Sequence, residues 1–404
     1  MTDYTFVDAH VFLSKDIEQT NVTVSGGIIT EIGGPVQGQV IDAGGLILAP
    51  ALIDVHGDAF ERQLMPRPGV FFPMETAVLE TDRQLAANGI ATTYHSVTLG
   101  FEPGLRSVEN GRALIQALRD LAPRLLVENR VQLRWETFAD EALDVLNWAM
   151  DWELTPSLAF NDHLSMSMRS VDTKIQDRLF EHNPDFAIMP FTDEALFEAR
   201  HMKQAERSGM NWDMYKDLLK SVWARREKVP ARMQEVAAKA RARGIPMLSH
   251  DDTQAETRAF YQALGATVTE FPMTMEPVQA ARAAGDTIIF GSPNAVRGGS
   301  HIGSLSAADM VEDGKCDVLA SDYYYPAMLA AVDRLDRERR ADRLALWSLV
   351  SSGPAKAMNL PDRGEITVGK RADLVLVDWP DGQIPAVQGT WVAGRCAYRS
   401  QPAG

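Results

Sequence analysis

Side chains able to bind a metal recur in this chain at one kind of place, the end of a short apolar run. His56-Gly-Asp58 follows Ala51-Leu-Ile-Asp-Val55, and Glu136 closes Val131-Gln-Leu-Arg-Trp135. His250 closes Ile245-Pro-Met-Leu-Ser249, and Asp322 closes Val318-Leu-Ala-Ser321. Few folds can gather so scattered a set. In a (β/α)8 barrel the C-terminal ends of all the parallel strands open on one mouth, so ligands far apart in sequence meet there. The pattern predicts that fold and a metal-dependent hydrolase.

The middle of the chain alternates strand-like and helix-like stretches, as repeated βα units do. Strand candidates lie at 51–55, 90–95, 130–136, 156–161, 245–250, 267–272, 287–292 and 317–322, which is the barrel number. Residues 1–50 and 361–404 read instead as short strands broken by turns, such as Val22-Thr-Val-Ser25 before Gly26-Gly27 and Gly364-Glu-Ile-Thr-Val368 before Gly369. They predict one small β-sandwich-like domain built from both termini, with the barrel at 51–360 between them. The stretch of about 164–244 is too long for one crossover helix. Helix-like spacing in Trp212-Asp-Met-Tyr-Lys-Asp-Leu-Leu-Lys220 predicts a helical insertion there, either a fixed cover or a lid closing on substrate.

Composition narrows the function classes. A net charge of -15, from 55 acidic and 40 basic residues, provides no basic footprint for nucleic acid. It leaves room for a small anionic substrate, because charges beyond about 8 Å are screened at physiological salt and a pocket's own groups decide. No run reaches the roughly 18 apolar residues of a membrane span, and Met1-Thr-Asp-Tyr-Thr-Phe is no signal peptide, so the expectation is a cytoplasmic protein without a membrane partner. Self-association as a homo-oligomer stays open. Cys316 and Cys396, the two cysteines, are too far apart for a local zinc or redox pair and read as reduced thiols.

His56 and Asp58 are two residues apart and on a continuing strand would face one side. Imidazole and carboxylate together suit Zn²⁺ first, with Mn²⁺ or Fe²⁺ as alternatives, held as one or two ions. Glu136 has two oxygens that could bridge neighbouring cations, or it is simply a buried ion-pair partner of Arg134 or Arg130. His250, in Leu248-Ser-His-Asp-Asp252, is an improbable core histidine and reads as a ligand. Asp322 either caps a helix or both binds metal and takes the proton of an attacking water, which would make it the catalytic base. The remaining ligand is His163, at the end of the fourth candidate strand, or else Glu270, at the end of Thr267-Val-Thr-Glu270.

Two loops add anion chemistry. Gly291-Ser-Pro-Asn-Ala-Val-Arg-Gly-Gly-Ser-His301 offers Arg297, Gly298, Gly299, Ser300 and His301, with glycines that let backbone amides approach phosphate. A plain turn is the simpler alternative. Met65-Pro-Arg-Pro-Gly69 presents Arg67, which either forks onto phosphate oxygens or meets only water.

Pro50-Ala-Leu-Ile-Asp-Val-His56-Gly-Asp58 resembles the first barrel strand of the amidohydrolase superfamily, typically Pro-Gly-Leu-Ile-Asp-x-His-x-His, with Ala51 and Asp58 as departures. That superfamily usually carries its two later histidines on strands five and six, whereas His163 falls on the fourth strand by this count. Pro66-Arg-Pro68, Leu133-Arg-Trp-Glu136, Asp162-His163, Ser249-His-Asp-Asp252, Glu270-Phe-Pro272, Pro293-Asn-Ala-Val-Arg-Gly-Gly-Ser-His301 and Ser321-Asp-Tyr-Tyr324 extend the likeness. As a set they resemble the α-D-ribose 1-methylphosphonate 5-triphosphate diphosphatases of phosphonate catabolism, from about residue 46 to 377. Ala59, where that family tends to have Asn, and Leu164-Ser-Met-Ser-Met-Arg169 depart from its pattern. The resemblance implies a metal-dependent phosphoanhydride hydrolase that releases diphosphate. A carbon-nitrogen hydrolase (deacetylase, cyclic amidase or deaminase) is the alternative on the same fold.

Overall fold

The computed structural model describes residues 3–169, 194–300 and 303–400. His301 and the 170–193 part of the expected helical insertion lie outside the described residues.

The chain begins with β1 (Tyr4–Phe12), β2 (Ile17–Ser25), β3 (Ile28–Ile32), β4 (Gln39–Asp42) and β5 (Ile47–Pro50). The barrel follows with β6 (Leu52–Gly57), β7 (Ile90–Leu99), β8 (Glu128–Glu136), β9 (Ser157–Asn161), β10 (Met247–His250), β11 (Val268–Glu270), β12 (Thr287–Gly291) and β13 (Val318–Ala320). The chain returns through β14 (Leu374–Asp378), β15 (Ala386–Val392) and β16 (Arg395–Arg399). Both termini share one sheet, in the order β16-β15-β14-β5-β1-β2-β3, with β4 paired to β1. β5 joins the two halves by pairing parallel with β1 and antiparallel with β14.

β6 to β13 form a second sheet in strict chain order, and each sequential pair is parallel. A parallel bridge from Gly57 to Asp322 closes it. Around the bridge the Asp322 amide donates to the His56 carbonyl at 2.8 Å, and the Asp58 amide donates to the Asp322 carbonyl at 2.9 Å. Asp54 reinforces the seam, since its carboxylate accepts from the Ser321 amide at 3.0 Å and the Ser321 hydroxyl at 2.6 Å. The first and last ligand-bearing strands are thus stitched together beside their ligands.

Apolar alternation explains why this sheet closes. Ile53, Val55, Tyr94, Ala159, Leu248, Val268, Ile289 and Val318 pack in one cluster inside the barrel, whereas Leu52, Ile90, Ile288 and Leu319 pack outward beneath the helices. The expected helix around Trp212 spans Trp212–Trp223, with Asn211 accepting from the Met214 amide as its N-cap. Buried Tyr215 on that helix donates to Glu102, in the loop after β7, and so anchors the described part of the insertion against the barrel. No helix among the described residues is long and apolar enough to cross a membrane.

Candidate active site at the barrel mouth

The C-terminal ends of the barrel strands enclose a cavity of about 220 Å3. His56 and Asp58 reach it from the end of β6, His250 from β10, and Asp322 from just past β13. Two groups of candidate metal-binding atoms form here: His56 with His250 and Glu270, and His56 with Asp58 and Asp322. Within each group the atoms lie within 4.8 Å of one another.

Glu270 ends the sixth barrel strand, where it is fully buried. Its Oε1 lies 2.9 Å from His56 Nδ1 and accepts from Gln132 Nε2 at 2.9 Å, and Gln132 in turn accepts from Ser96 at 2.8 Å. His163 is placed differently. It starts a helix after β9, is exposed, and its Nδ1 pairs with Glu136 Oε1 at 2.5 Å. Glu136 also accepts from the His163 amide at 3.2 Å, so its carboxylate turns to His163, and Arg130 pairs instead with Glu128. Among the described residues neither Glu136 nor His163 joins the two groups of candidate ligands.

Local backbone strain shapes this mouth. Asp251, Phe271 and Asp322 adopt φ of 56°, 54° and 55°, each just beyond the end of a ligand-bearing strand. Left-handed backbone is tolerable for aspartate and costly for phenylalanine, and such residues persist where surrounding structure forces them. The turn at Phe271 sets its ring edge-on to His56 and His250, with centroids 4.9 and 5.4 Å away, and the ring helps form the cavity wall. The turn at Asp251 brings its carboxylate 3.1 Å from His250 Nδ1.

The electrostatics suit a cation. Burial pushes Glu270 up to about 7, against the pull of His250 and the Gln132 hydrogen bond. Burial and then repulsion from Asp58 push Asp322 up to about 7. Burial, reinforced by Arg134, drives His56 down to about 3, and burial likewise lowers His250. The imidazoles are therefore neutral, the form that binds metal, while the carboxylates crowd without enough positive charge. His56 Nδ1, close to Glu270 Oε1 but not in hydrogen-bond geometry with it, and Glu270 Oε2 are buried without a hydrogen bond among the described residues. A divalent cation would satisfy both atoms and the carboxylate charge, so the residues present fit one. Glu136 behaves otherwise: burial would raise it, but His163 holds it down to about 2 and is itself raised by Glu136.

Arg297, Gly299 and Ser300 line the cavity. Gly298 instead takes φ 80° at the end of the Ser292–Arg297 helix, where a Cβ would meet the Arg334 guanidinium at 2.9 Å. Arg67 is exposed and does not line the cavity. Two lining arginines escaped the sequence reading of the binding loops. Arg134 sits two residues before Glu136 on β8, so the two-residue period that singles out Glu136 also places Arg134 on the same face. Arg106 lies in the loop after β7, where no motif marks it.

The chain belongs to the amidohydrolase family, whose sequence profile matches residues 177–398. It is a hydrolase of that family. It is 31% identical over 369 residues to α-D-ribose 1-methylphosphonate 5-triphosphate diphosphatase of Escherichia coli strain K12, which covers 89% of this chain and 90% of that protein. Solved structures share the fold. L-hydantoinase (dihydropyrimidinase) of Arthrobacter aurescens has a TM-score of 0.61 at 14% identity, over 99% of this chain and 96% of that one. An adenosine deaminase of Xanthomonas campestris with bound zinc has a TM-score of 0.60 at 13% identity, over 97% of this chain and 92% of that one.

Proposed function

We propose that this hydrolase cleaves the phosphoanhydride of a sugar 5-triphosphate, α-D-ribose 1-methylphosphonate 5-triphosphate or a close relative, and releases diphosphate. The observation that carries the reading is the placing of Arg106, Arg134 and Arg297 around a buried His/carboxylate cluster in one cavity. A neutral amide offers nothing to pair with three guanidinium groups, whereas a polyphosphate offers charge-assisted contacts to each. The likeness to the Escherichia coli diphosphatase over most of both chains points the same way.

In this reading His56, His250, Glu270, Asp58 and Asp322 are the residues that would hold the metal. A mixed imidazole and carboxylate set suits Zn²⁺ first, with Mn²⁺ or Fe²⁺ as alternatives. A divalent ion held there would lower the pKa of water and offset charge on phosphoryl oxygens. Asp322 accepts the proton of the attacking water, whose oxygen bonds to the phosphorus next to the ribose. The bond from that phosphorus to the bridging oxygen breaks, and the electron pair leaves on diphosphate. Arg297 and the Gly299 and Ser300 backbone steady the departing charge. Glu136, at the end of β8, and His163, just past β9, are paired with each other.

Diphosphate release from the 5-triphosphate, measured beside a panel of cyclic amides, N-acetyl sugars and nucleosides, tests the assignment. Hydrolysis confined to the triphosphate, lost on chelation and restored by divalent metal, is the expected outcome. Turnover of a carbon-nitrogen substrate with none of the triphosphate would overturn it.

A further inference from the structure

The Ser249-His-Asp-Asp252 run sends His250 into the cavity, but its last residue has no part in the chemistry described so far. Asp252 is fully buried, and it does not cap the following helix (Ala255–Ala263), whose N-cap is Gln254. Its carboxylate lies behind the candidate ligands. Across β10 and β11, Ser249 pairs in register with Thr269, and His250 with Glu270. Neighbouring residues on a strand face opposite sides, so where His250 and Glu270 turn to the mouth, Ser249 and Thr269 turn outward to the helical layer. There both hydroxyls donate to one atom, Asp252 Oδ2, the Thr269 bond measuring 2.8 Å. The residues directly behind two candidate ligands are thus tied to a single oxygen.

Arg258 braces this knot from the helix. It is 1% exposed, its Nη1 donates to the Ser249 hydroxyl at 2.5 Å and to the Val268 carbonyl at 3.1 Å, and its Nη2 donates to the Ala266 carbonyl. It stands 3.5 Å from Asp252 Oδ2 and 3.2 Å from the carboxylate of Asp286, just before β12. The left-handed turn at Asp251 returns the chain toward β11, where the Asp251 amide donates to the Glu270 carbonyl at 2.9 Å and the Met273 amide to the Asp252 carbonyl at 2.8 Å. Ser249, Asp252, Arg258 and Thr269 are not among the residues lining the cavity. Burying a guanidinium with two carboxylates is a costly way to join strands that apolar packing could join, and what it adds is fixed geometry. Geometry is what β10 and β11, four and three residues long, lack by themselves, since a metal tolerates ligand displacements of only about 0.2 Å.

Resting on the reading that His250 and Glu270 hold metal, we propose that Asp252, braced by Arg258, is a positioning residue of the metal centre. It fixes Ser249 against Thr269 and so presents His250 and Glu270 to the ion as one preset pair. The effect passes through two hydroxyl hydrogen bonds, not through the charge of Asp252.

Titration of the metal-free full chain with Co²⁺, a divalent probe visible by its absorption bands, tests this without turnover. Thr269→Val removes one tether and no charge, and it should weaken Co²⁺ binding about 10-fold and alter the bands. Thr269→Ser restores the hydroxyl and should match the wild type. Asp252→Ala releases both tethers and should weaken binding by about 100-fold, and Thr269→Val remains decisive should Asp252→Ala not fold. Glu128→Gln, altered at the other end of the barrel, should bind Co²⁺ as the wild type does, which separates the clamp from general stability. Wild-type affinity and bands in folded Thr269→Val, with metal still lost from His250→Ala, would overturn the clamp and leave the ligand assignment standing. Equal losses in Thr269→Val and Thr269→Ser would also overturn it, as the mark of packing and not of the hydroxyl. Metal retained in His250→Ala would defeat the ligand assignment and the clamp together. No arm reads diphosphate release, so a different substrate leaves every outcome unchanged.

Discussion

Glu128 and Glu270 are both carboxylates set in barrel strands, at opposite ends of the barrel, and their surroundings differ in kind. Glu128 opens β8 at the base, where it pairs with Arg363 at 2.8 Å, with Arg130 at 2.6 Å and with Arg371. Burial would raise its pKa, but these arginines hold it down to about 2. Glu270 closes β11 at the mouth, has Gln132 as its hydrogen-bond donor, and is pushed by burial up to about 7. A charge matched by its neighbours serves the fold. A charge left unmatched stores instability that a bound cation or a proton relieves, and in a barrel of this kind stability is concentrated at the base and chemistry at the mouth.

The contrast breaks most sharply if the mouth residues prove to be structural. His250→Ala and Asp322→Ala should each lower kcat by about 1,000-fold or more, since each removes a proposed ligand and Asp322 also the proton acceptor. Thermal melts should stay close to wild type, because neither residue packs the apolar barrel core. Near-normal turnover in either metal-replete variant would end the assignment of the mouth as the active site.

Glu270 and His163 sharpen the same contrast within the mouth. Glu270→Gln keeps the shape and the Gln132 contact but removes one charge, and metal affinity should fall on the order of 100-fold. His163→Ala should leave metal content unchanged, since His163 is occupied by Glu136. Equilibrium dialysis with metal analysis reads both, and metal lost from His163→Ala but retained in Glu270→Gln would reverse the proposed ligand assignment.

Much of this was legible in the sequence because barrel strands announce themselves as short apolar runs. All eight candidate runs overlap observed strands, and His56, Asp58, His250 and Asp322 follow from where those runs stop. Glu270 competed with His163 because both end an apolar run, and only the sixth strand's position beside the fifth separates them, a three-dimensional fact. His250 pairs in register with Glu270 across β10 and β11. Arg106 was invisible for another reason. Its place depends on Glu61, 45 residues earlier, and no local pattern encodes a contact of that range. Arg67 shows the reverse error, in that Pro-flanked loop stiffness suggested an anion clamp but does not direct the side chain into the cavity.

Arg297→Met tests the proposed diphosphate contact at the mouth. A lost charge-assisted contact of about 1.5–3 kcal/mol corresponds to a drop of roughly 10- to 150-fold in kcat/KM for the triphosphate. The melting temperature should change little, because Arg297 ends a six-residue helix whose capping rests on Gly298. A folded variant with wild-type kcat/KM would remove the diphosphate-binding role from this loop.

The smallest effect on activity should come from the base. In Glu128→Gln kcat should stay within about twofold of wild type, because the residue lies at the end of the barrel away from the chemistry. Stability should respond instead. The carboxyl falls from its ordinary 4.5 to about 2 in the folded chain, so its contribution is fully present above the higher value and is lost as pH falls through the lower one. That shift corresponds to about 3 kcal/mol at neutral pH, and the substitution also leaves the buried Arg363 short of a partner. Urea unfolding at pH 7 should therefore separate variant from wild type clearly, while at pH 3 the gap should already have narrowed. A variant as stable as wild type at pH 7 would show that the base arginines compensate one another without Glu128. A folded variant with strongly reduced kcat would show that the two ends of β8 are coupled, and the division between a structural base and a chemical mouth would no longer hold.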